Sequence, residues 1–168
     1  MNTLYLITGP AGVGKSTISK ALANKLDKSA LIEGDELYHQ VVGSYVAPWL
    51  EGNHLDLMWQ NAILLIKNYL DNNYDVIFNY IVEPDKLNLI KETFKDYNLK
   101  FIVLMVNPDI LIKRDQNRDI DCQMGERCLV LLEEFKNHNY DSKYILNTDN
   151  KDVYECVRDI LDNDRYLV

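Results

Sequence analysis

The residues Gly9-Pro10-Ala11-Gly12-Val13-Gly14-Lys15-Ser16-Thr17 combine three glycines, a lysine and two hydroxyls in the pattern G-x-x-x-x-G-K-[ST]. Backbone N–H groups can wrap a polyphosphate only where the chain takes conformations open to glycine and no side chain intrudes. Gly9, Gly12 and Gly14 meet that need, with the amides of Ala11 and Val13 between them. The Lys15 ammonium is placed to reach the β- and γ-oxygens of a nucleotide, Ser16 to hold Mg²⁺ through its hydroxyl, and Thr17 to meet the α-phosphate. A chance glycine turn before a helix is the alternative. The flanking sequence argues against it, because Thr3 to Thr8 reads as an apolar strand and Ile18, Leu22 and Leu26 as the stripe of a helix.

Carboxylates come next. Ser29 to Glu33 reads as a second strand ending in Gly34-Asp35, and in open parallel sheets ligands gather beyond the carboxyl ends of strands. Glu33 and Asp35 are therefore candidates to face a second substrate, with Asp35 able to accept a hydroxyl proton or hold Mg²⁺. Asp35 could equally cap a short helix over Glu36 to Val42. A third strand, Tyr74 to Tyr80, has the shape of a metal-binding strand but carries Asn79 where an acid normally stands. A neutral amide cannot act as base or offset a cation's charge, which shifts the acidic work to Asp35. Tyr80, at the end of that strand, is a further candidate to face the second substrate.

The third informative stretch is Lys113-Arg114-Asp115-Gln116-Asn117-Arg118, a basic cluster in an acidic chain. A guanidinium neutralises the charge spread over a transferring phosphoryl group. Arg114 and Arg118 are spaced to share a helix face, and salt bridges to Asp115, Asp119 or Asp121 are the bland alternative. The polar, glycine-bearing connector that follows suggests a lid over residues 114–127. Residues 43–54 mix turn formers with aromatics and read as a loop over the second substrate. In it Trp49 and Tyr45 either stack on that substrate or pin the loop to the core.

These residues are spaced by alternating strands and helices. Leu55 to Leu70 carries a long amphipathic stripe, Pro84 opens a helix, Lys100 to Val106 is a buried strand, and Asn107-Pro108 opens a helix running into the basic cluster. Cys128, Leu131, Leu132 and Phe135 form the next stripe, Lys143 to Asn147 a last strand, and Val153 to Leu161 a closing helix. The pattern is α/β.

The chain of 168 residues, 47% hydrophobic, fits a single domain over residues 1–168. Its formal charge of −8, from 18 Lys+Arg against 26 Asp+Glu, argues against nucleic-acid and anionic-membrane partners. Three cysteines lack the paired spacing of a zinc site, no secretory signal opens the chain, and no apolar run is long enough to cross a membrane. A soluble cytoplasmic protein, monomeric or homodimeric, is expected.

The order of glycine loop, acidic strand end, long helix, lid arginines and polar turn after the last strand resembles the small P-loop kinases of the nucleoside-monophosphate kinase group. Within it the chain is most similar to the gluconate kinase, shikimate kinase and chloramphenicol phosphotransferase branch. The segments carrying this are Ile7 to Thr17, Ile32 to Asp35 and Gln123 to Cys128. The resemblance implies a three-layer fold with a five-stranded parallel sheet flanked by helices and a short lid. It implies ATP with Mg²⁺ as cofactors and transfer of the γ-phosphoryl to a small hydroxylated acceptor. Under it Asp35 is the base, Lys15 and Arg118 stabilise the transferring group, and Arg114 lies against adenine or phosphates. Asn147 and Thr148 fall in the adenine-side turn. The absence of an N-K-x-D motif favours ATP over GTP. Two other readings compete: a regulatory module that binds ATP with little turnover, favoured by Asn79, and a zeta-toxin-like kinase of nucleotide sugars.

Overall fold

Five strands lie parallel in the order β2-β3-β1-β4-β5 in the computed structural model, which describes residues 2–117, 120 and 123–168. They are β1 (Thr3–Thr8), β2 (Ser29–Glu33), β3 (Asp75–Asn79), β4 (Asn98–Met105) and β5 (Ile145–Asn147). Parallel strands need crossovers, and here helices supply them on both faces. Successive side chains of a strand therefore both meet apolar neighbours. Leu4 and Leu6 of β1 join Val76 and Phe78 of β3 on one face, while Tyr5 and Ile7 join Ile77 on the other. This two-sided burial is why these strands read as nearly continuous apolar runs rather than as alternating ones.

The first face is covered by α2 (Gly34–Tyr38), α3 (Leu55–Asp71) and α4 (Pro84–Thr93) through Leu37, Met58, Trp59, Ile66 and Ile90. The second is covered by α1 (Lys15–Lys25), α5 (Pro108–Gln116), α6 (Arg127–Asn137) and α7 (Val153–Asp162) through Ile18, Leu22, Leu111, Leu132, Val157 and Ile160. Pro84 and Pro108 stand at helix starts, where a missing N–H leaves no donor unpaired. Helix α7 opens with a capping box between Asp152 and Glu155. At its far end the buried Lys100 ammonium donates to the carbonyls of Ile160, Leu161 and Asn163, each at 3.0 Å, meeting the negative pole of the helix.

The five-stranded parallel sheet flanked by helices agrees with the expected fold. The short helix after β2 departs from expectation. It spans Gly34–Tyr38 with Glu33 as its N-cap, so Asp35 sits inside the first turn and does not cap it. The last strand is also shorter, because Ser142–Tyr144 coils into a single 3-10 turn before Ile145. The helix bearing the basic cluster ends at Gln116, with Asn117 as its C-cap. Arg118, Asp119, Asp121 and Cys122 lie outside the described residues, and the pairing expected of Arg118 lies outside them too.

Candidate functional site

The carboxyl ends of β1, β3 and β2 lie side by side, with Ile7 opposite Asn79 and Asn79 opposite Glu33. From β1 the chain leaves through the glycine loop, in which Gly9, Gly12 and Gly14 all take positive φ. Gly14, the residue capping α1, has φ 108° and open space where a Cβ would project. A side chain there would be strained and would fill the hollow in front of the α1 N-terminus, where backbone N–H groups and the helix dipole favour an anion. The Lys15 ammonium donates to the carbonyls of Gly9 at 2.8 Å and Pro10 at 3.1 Å, which keeps it folded over the loop.

Ser16 Oγ donates to a Glu33 carboxylate oxygen at 3.1 Å. Hydroxyl and carboxylate oxygens together suit a hard divalent cation, so the donor set fits Mg²⁺ held jointly with phosphate oxygens and water. Among the described residues no cluster of three or more His, Cys, Asp or Glu could hold a metal without such help. Glu33, expected to face the second substrate, instead engages Ser16. Asn79, at the neighbouring strand end, is 2% exposed, and its Nδ2 has no hydrogen-bond partner among the described residues.

A cavity of about 470 Å³ opens over the loop. Ala11, Gly12, Val13, Gly14, Lys15, Ser16 and Thr17 line it together with Arg114, with Asp35, which follows the edge strand β2, and with Thr148, which follows β5 at the opposite edge. Gly9 lies behind the loop rather than in its lining. Arg114 fastens loop to turn: one guanidinium nitrogen donates to Val13 O at 3.0 Å and Thr148 Oγ1 at 2.9 Å, the other to Thr148 O at 3.0 Å. Only a planar fork reaches loop and turn together. Of the two residues expected in that turn, Thr148 lines the cavity. Asn147 faces away, its amide donating to Asp149 at 3.1 Å.

The sequence reasoning missed Ile18, Met124, Lys151, Val153 and Cys156, which also line the cavity. They present an apolar slot with one ammonium, suited to a flat base. Burial pushes the Cys156 thiol above its ordinary range, making it an unreactive wall. Met124 is placed by Asp115, a 3% exposed carboxylate that accepts the backbone N–H of Met124 at 3.0 Å and of Gly125 at 2.8 Å. Asp115, foreseen only as a salt-bridge partner, thus anchors Met124 and Gly125 just ahead of α6.

On the Asp35 side the ring of Tyr80 lies directly beneath Gly34. A Cβ on Gly34 would come within 2.4 Å of that ring, so only glycine lets α2 start over it. Burial raises the Tyr80 phenol well above its ordinary range, and the Asp35 carboxylate adds to the rise. In the 43–54 loop, Tyr38 stacks on His54 with centroids 4.1 Å apart, and its hydroxyl donates to Val46 O at 2.5 Å. These contacts, not Trp49, pin the loop to the core. Trp49 is 67% exposed, with the Arg127 guanidinium 5.1 Å from its ring centroid, so the loop meets the start of α6. Neither Trp49 nor Tyr80 lines the cavity.

A parallel sheet carrying a glycine loop, a lysine and a helix N-terminus at the end of β1, with acidic residues at the end of β2, defines a P-loop nucleotide-binding fold of the small-kinase type. The chain belongs to the AAA domain family, whose model matches residues 6–128. It is 26% identical over 181 residues to the guanylate kinase of Campylobacter jejuni, across 94% of this chain and 87% of that one. Its fold matches a gluconokinase from Sinorhizobium meliloti with TM-score 0.64 at 21% identity, over 96% and 90% of the two chains. A sugar kinase from Janibacter sp. matches with TM-score 0.72 at 13% identity, over 98% and 97%.

Proposed function

We propose that this protein transfers the γ-phosphoryl group of Mg-ATP to a hydroxyl of a small acceptor. The observation that carries the reading is the position of Asp35, which lines the same cavity as Lys15 and Ser16 and follows β2 at one edge of the sheet, whereas Lys151, Val153 and Cys156 of the same cavity follow β5 at the other edge. An acceptor hydroxyl approaching from the β2 edge meets the carboxylate first, and Asp35 orients it and takes its proton as the bond to phosphorus forms. Lys15, released from its loop carbonyls, follows the charge onto the transferring oxygens. Ser16, with Glu33 alongside, would hold a Mg²⁺ ion, which would supply positive charge against the phosphate oxygens. Arg118 is assigned to the transferring group and Arg114 to the base-side wall, with Thr148 beside it. Trp49 and Tyr80 belong to the acceptor side, Trp49 as part of its cover and Tyr80 as support for the Gly34-Asp35 turn.

A phosphate acceptor, suggested by the guanylate kinase relative, is the competing reading. A phosphate monoester is already anionic at neutral pH, with its second pKa at about 6, so it needs no base and would be repelled by a carboxylate. Asp35 therefore favours a hydroxyl. The gluconokinase and sugar kinase of the same fold make a polyhydroxylated acceptor the first class to test.

The experiment is Mg-ATP consumption against a panel of sugar acids, sugars, nucleosides, nucleoside monophosphates and nucleotide sugars, with products identified by mass. Stimulation by a hydroxyl compound that gains one phosphoryl group supports the proposal. Stimulation only by monophosphates contradicts the hydroxyl assignment. Tight ATP binding with no turnover on any compound contradicts the kinase reading and leaves the regulatory module.

A further inference from the structure

Asp115 is a buried carboxylate that the proposed chemistry does not use. It stands in the last turn of α5 beside Arg114, and the two side chains fasten different segments around one cavity. Arg114 holds Val13 of the glycine loop to Thr148, while the Asp115 oxygens accept the N–H of Met124 at 3.1 and 3.0 Å and that of Gly125 at 2.8 Å. Gly125 takes φ 55°, a conformation open to glycine, where the two successive amides converge on one carboxylate.

The same carboxylate stands against the glycine loop, because a Cβ on Gly12 would meet Leu111 Cδ1 at 3.2 Å and Asp115 Oδ1 at 4.0 Å. Amides donating to an ionised acceptor make bonds roughly twice as strong as neutral ones, so the segment is held more firmly than a neutral side chain would hold it. Its carbonyls are engaged as well: Met124 O accepts from the N–H of Arg127 and Gly125 O from that of Cys128, each at 3.2 Å. Met124 is therefore fixed through both its N–H and its carbonyl, and it lines the cavity with Val153 and Cys156. Phosphate gains nothing from a nearby carboxylate, which repels it. The part of a ligand that gains is the one lying in the apolar slot.

We propose that Asp115 is a positioning residue for the nucleotide base: it sets Met124 as a wall of the slot and so governs affinity for the nucleoside part of the ligand rather than for its phosphates. This assignment rests on the nucleotide reading of the cavity but not on phosphoryl transfer. Its competitor is structural, an anchor that stabilises the start of α6 and affects every ligand alike.

Calorimetric titration with Mg-ATP and with Mg-tripolyphosphate, beside the thermal midpoint, separates the two. The native chain is expected to bind ATP more tightly than tripolyphosphate. Asp115→Asn keeps one acceptor but turns an N–H₂ toward the second amide, and is expected to weaken ATP about tenfold, the change carried by ~1.4 kcal/mol, while tripolyphosphate stays within about twofold. Met124→Ala leaves the anchor intact and decides the matter if Asp115→Asn does not fold; it is expected to weaken ATP roughly fivefold with an unchanged midpoint. The double variant is expected to bind ATP no more weakly than Asp115→Asn alone, because both act through one contact. Equal weakening of ATP and tripolyphosphate by Asp115→Asn, or undiminished ATP affinity in Met124→Ala, would overturn the assignment in favour of the structural anchor. A native chain that binds tripolyphosphate as tightly as ATP would overturn the base slot, and one that binds neither would overturn the nucleotide reading beneath it.

Discussion

At the scale of single residues, Gly34 and Arg114 carry geometry that no other side chain reproduces. Gly34→Ala drives a methyl against the Tyr80 ring, and overpacking of this kind costs about 1–3 kcal/mol. Because Asp35 is the next residue, turnover is expected to fall more than stability alone explains, which chemical denaturation beside steady-state rates would show. Arg114→Lys is expected to weaken ATP about tenfold, since a point ammonium cannot hold Val13 and Thr148 together, and hydrogen bonds from a charged donor contribute about 1.5–3 kcal/mol. An unchanged dissociation constant would show that the fork is dispensable. The phosphate loop was legible because its chemistry is contiguous in sequence. Asp35 was legible as a carboxylate at a strand end, although the cap alternative needed the structure to remove it. Met124, Lys151, Val153 and Cys156 were not legible, because the segment before α6, a turn and a helix bring them together and no spacing records it.

At the scale of elements, the strands and most helices follow the sequence closely, because burial on both faces of a parallel sheet leaves an unbroken apolar signature. The segments around the acceptor leave no such signature. Residues 43–54 have no period, and what holds them is a stack of Tyr38 on His54 and a guanidinium over an exposed tryptophan. The Trp49–Arg127 contact ties this loop to α6 with the strength of an exposed cation–π pair, about 0.5–1 kcal/mol. Of the two tryptophans, Trp59 is buried and Trp49 exposed, so quenching by acrylamide reports on Trp49. Arg127→Ala is expected to increase that quenching while the Trp59 emission stays constant, and to raise the KM for the acceptor roughly two- to fivefold with little change in that for ATP. Unaltered quenching would mean that the two segments do not hold each other in solution.

At the scale of the whole molecule, burial raises the phenols of Tyr5, Tyr80, Tyr140 and Tyr166 above their ordinary value of 10.0. The folded chain therefore binds these protons more tightly than the unfolded one. Their contribution to stability is complete below pH 10.0 and is lost as the pH rises above it. Lys100 acts in the opposite sense, because desolvation lowers its ammonium below the ordinary 10.5, but it is one group against four. The thermal midpoint is expected to fall between about pH 9 and about pH 11, with the phenolate absorbance of these four rings, out of eleven tyrosines, rising only with unfolding. Ionisation of all eleven in the folded protein, with no loss of midpoint, would contradict this account of the core.

The sheet brings together on one cavity a glycine loop suited to phosphate and the Asp35 carboxylate, and the proposed activity rests on that pairing. Asp35→Asn tests it most directly, with turnover on the acceptor found by the panel and ATP affinity measured on the same preparation. The account predicts loss of turnover by about a hundredfold or more, as for removal of a general base, with ATP affinity unchanged within about twofold. Retained turnover, or a parallel loss of ATP binding, would contradict the role given to Asp35 and with it the hydroxyl acceptor.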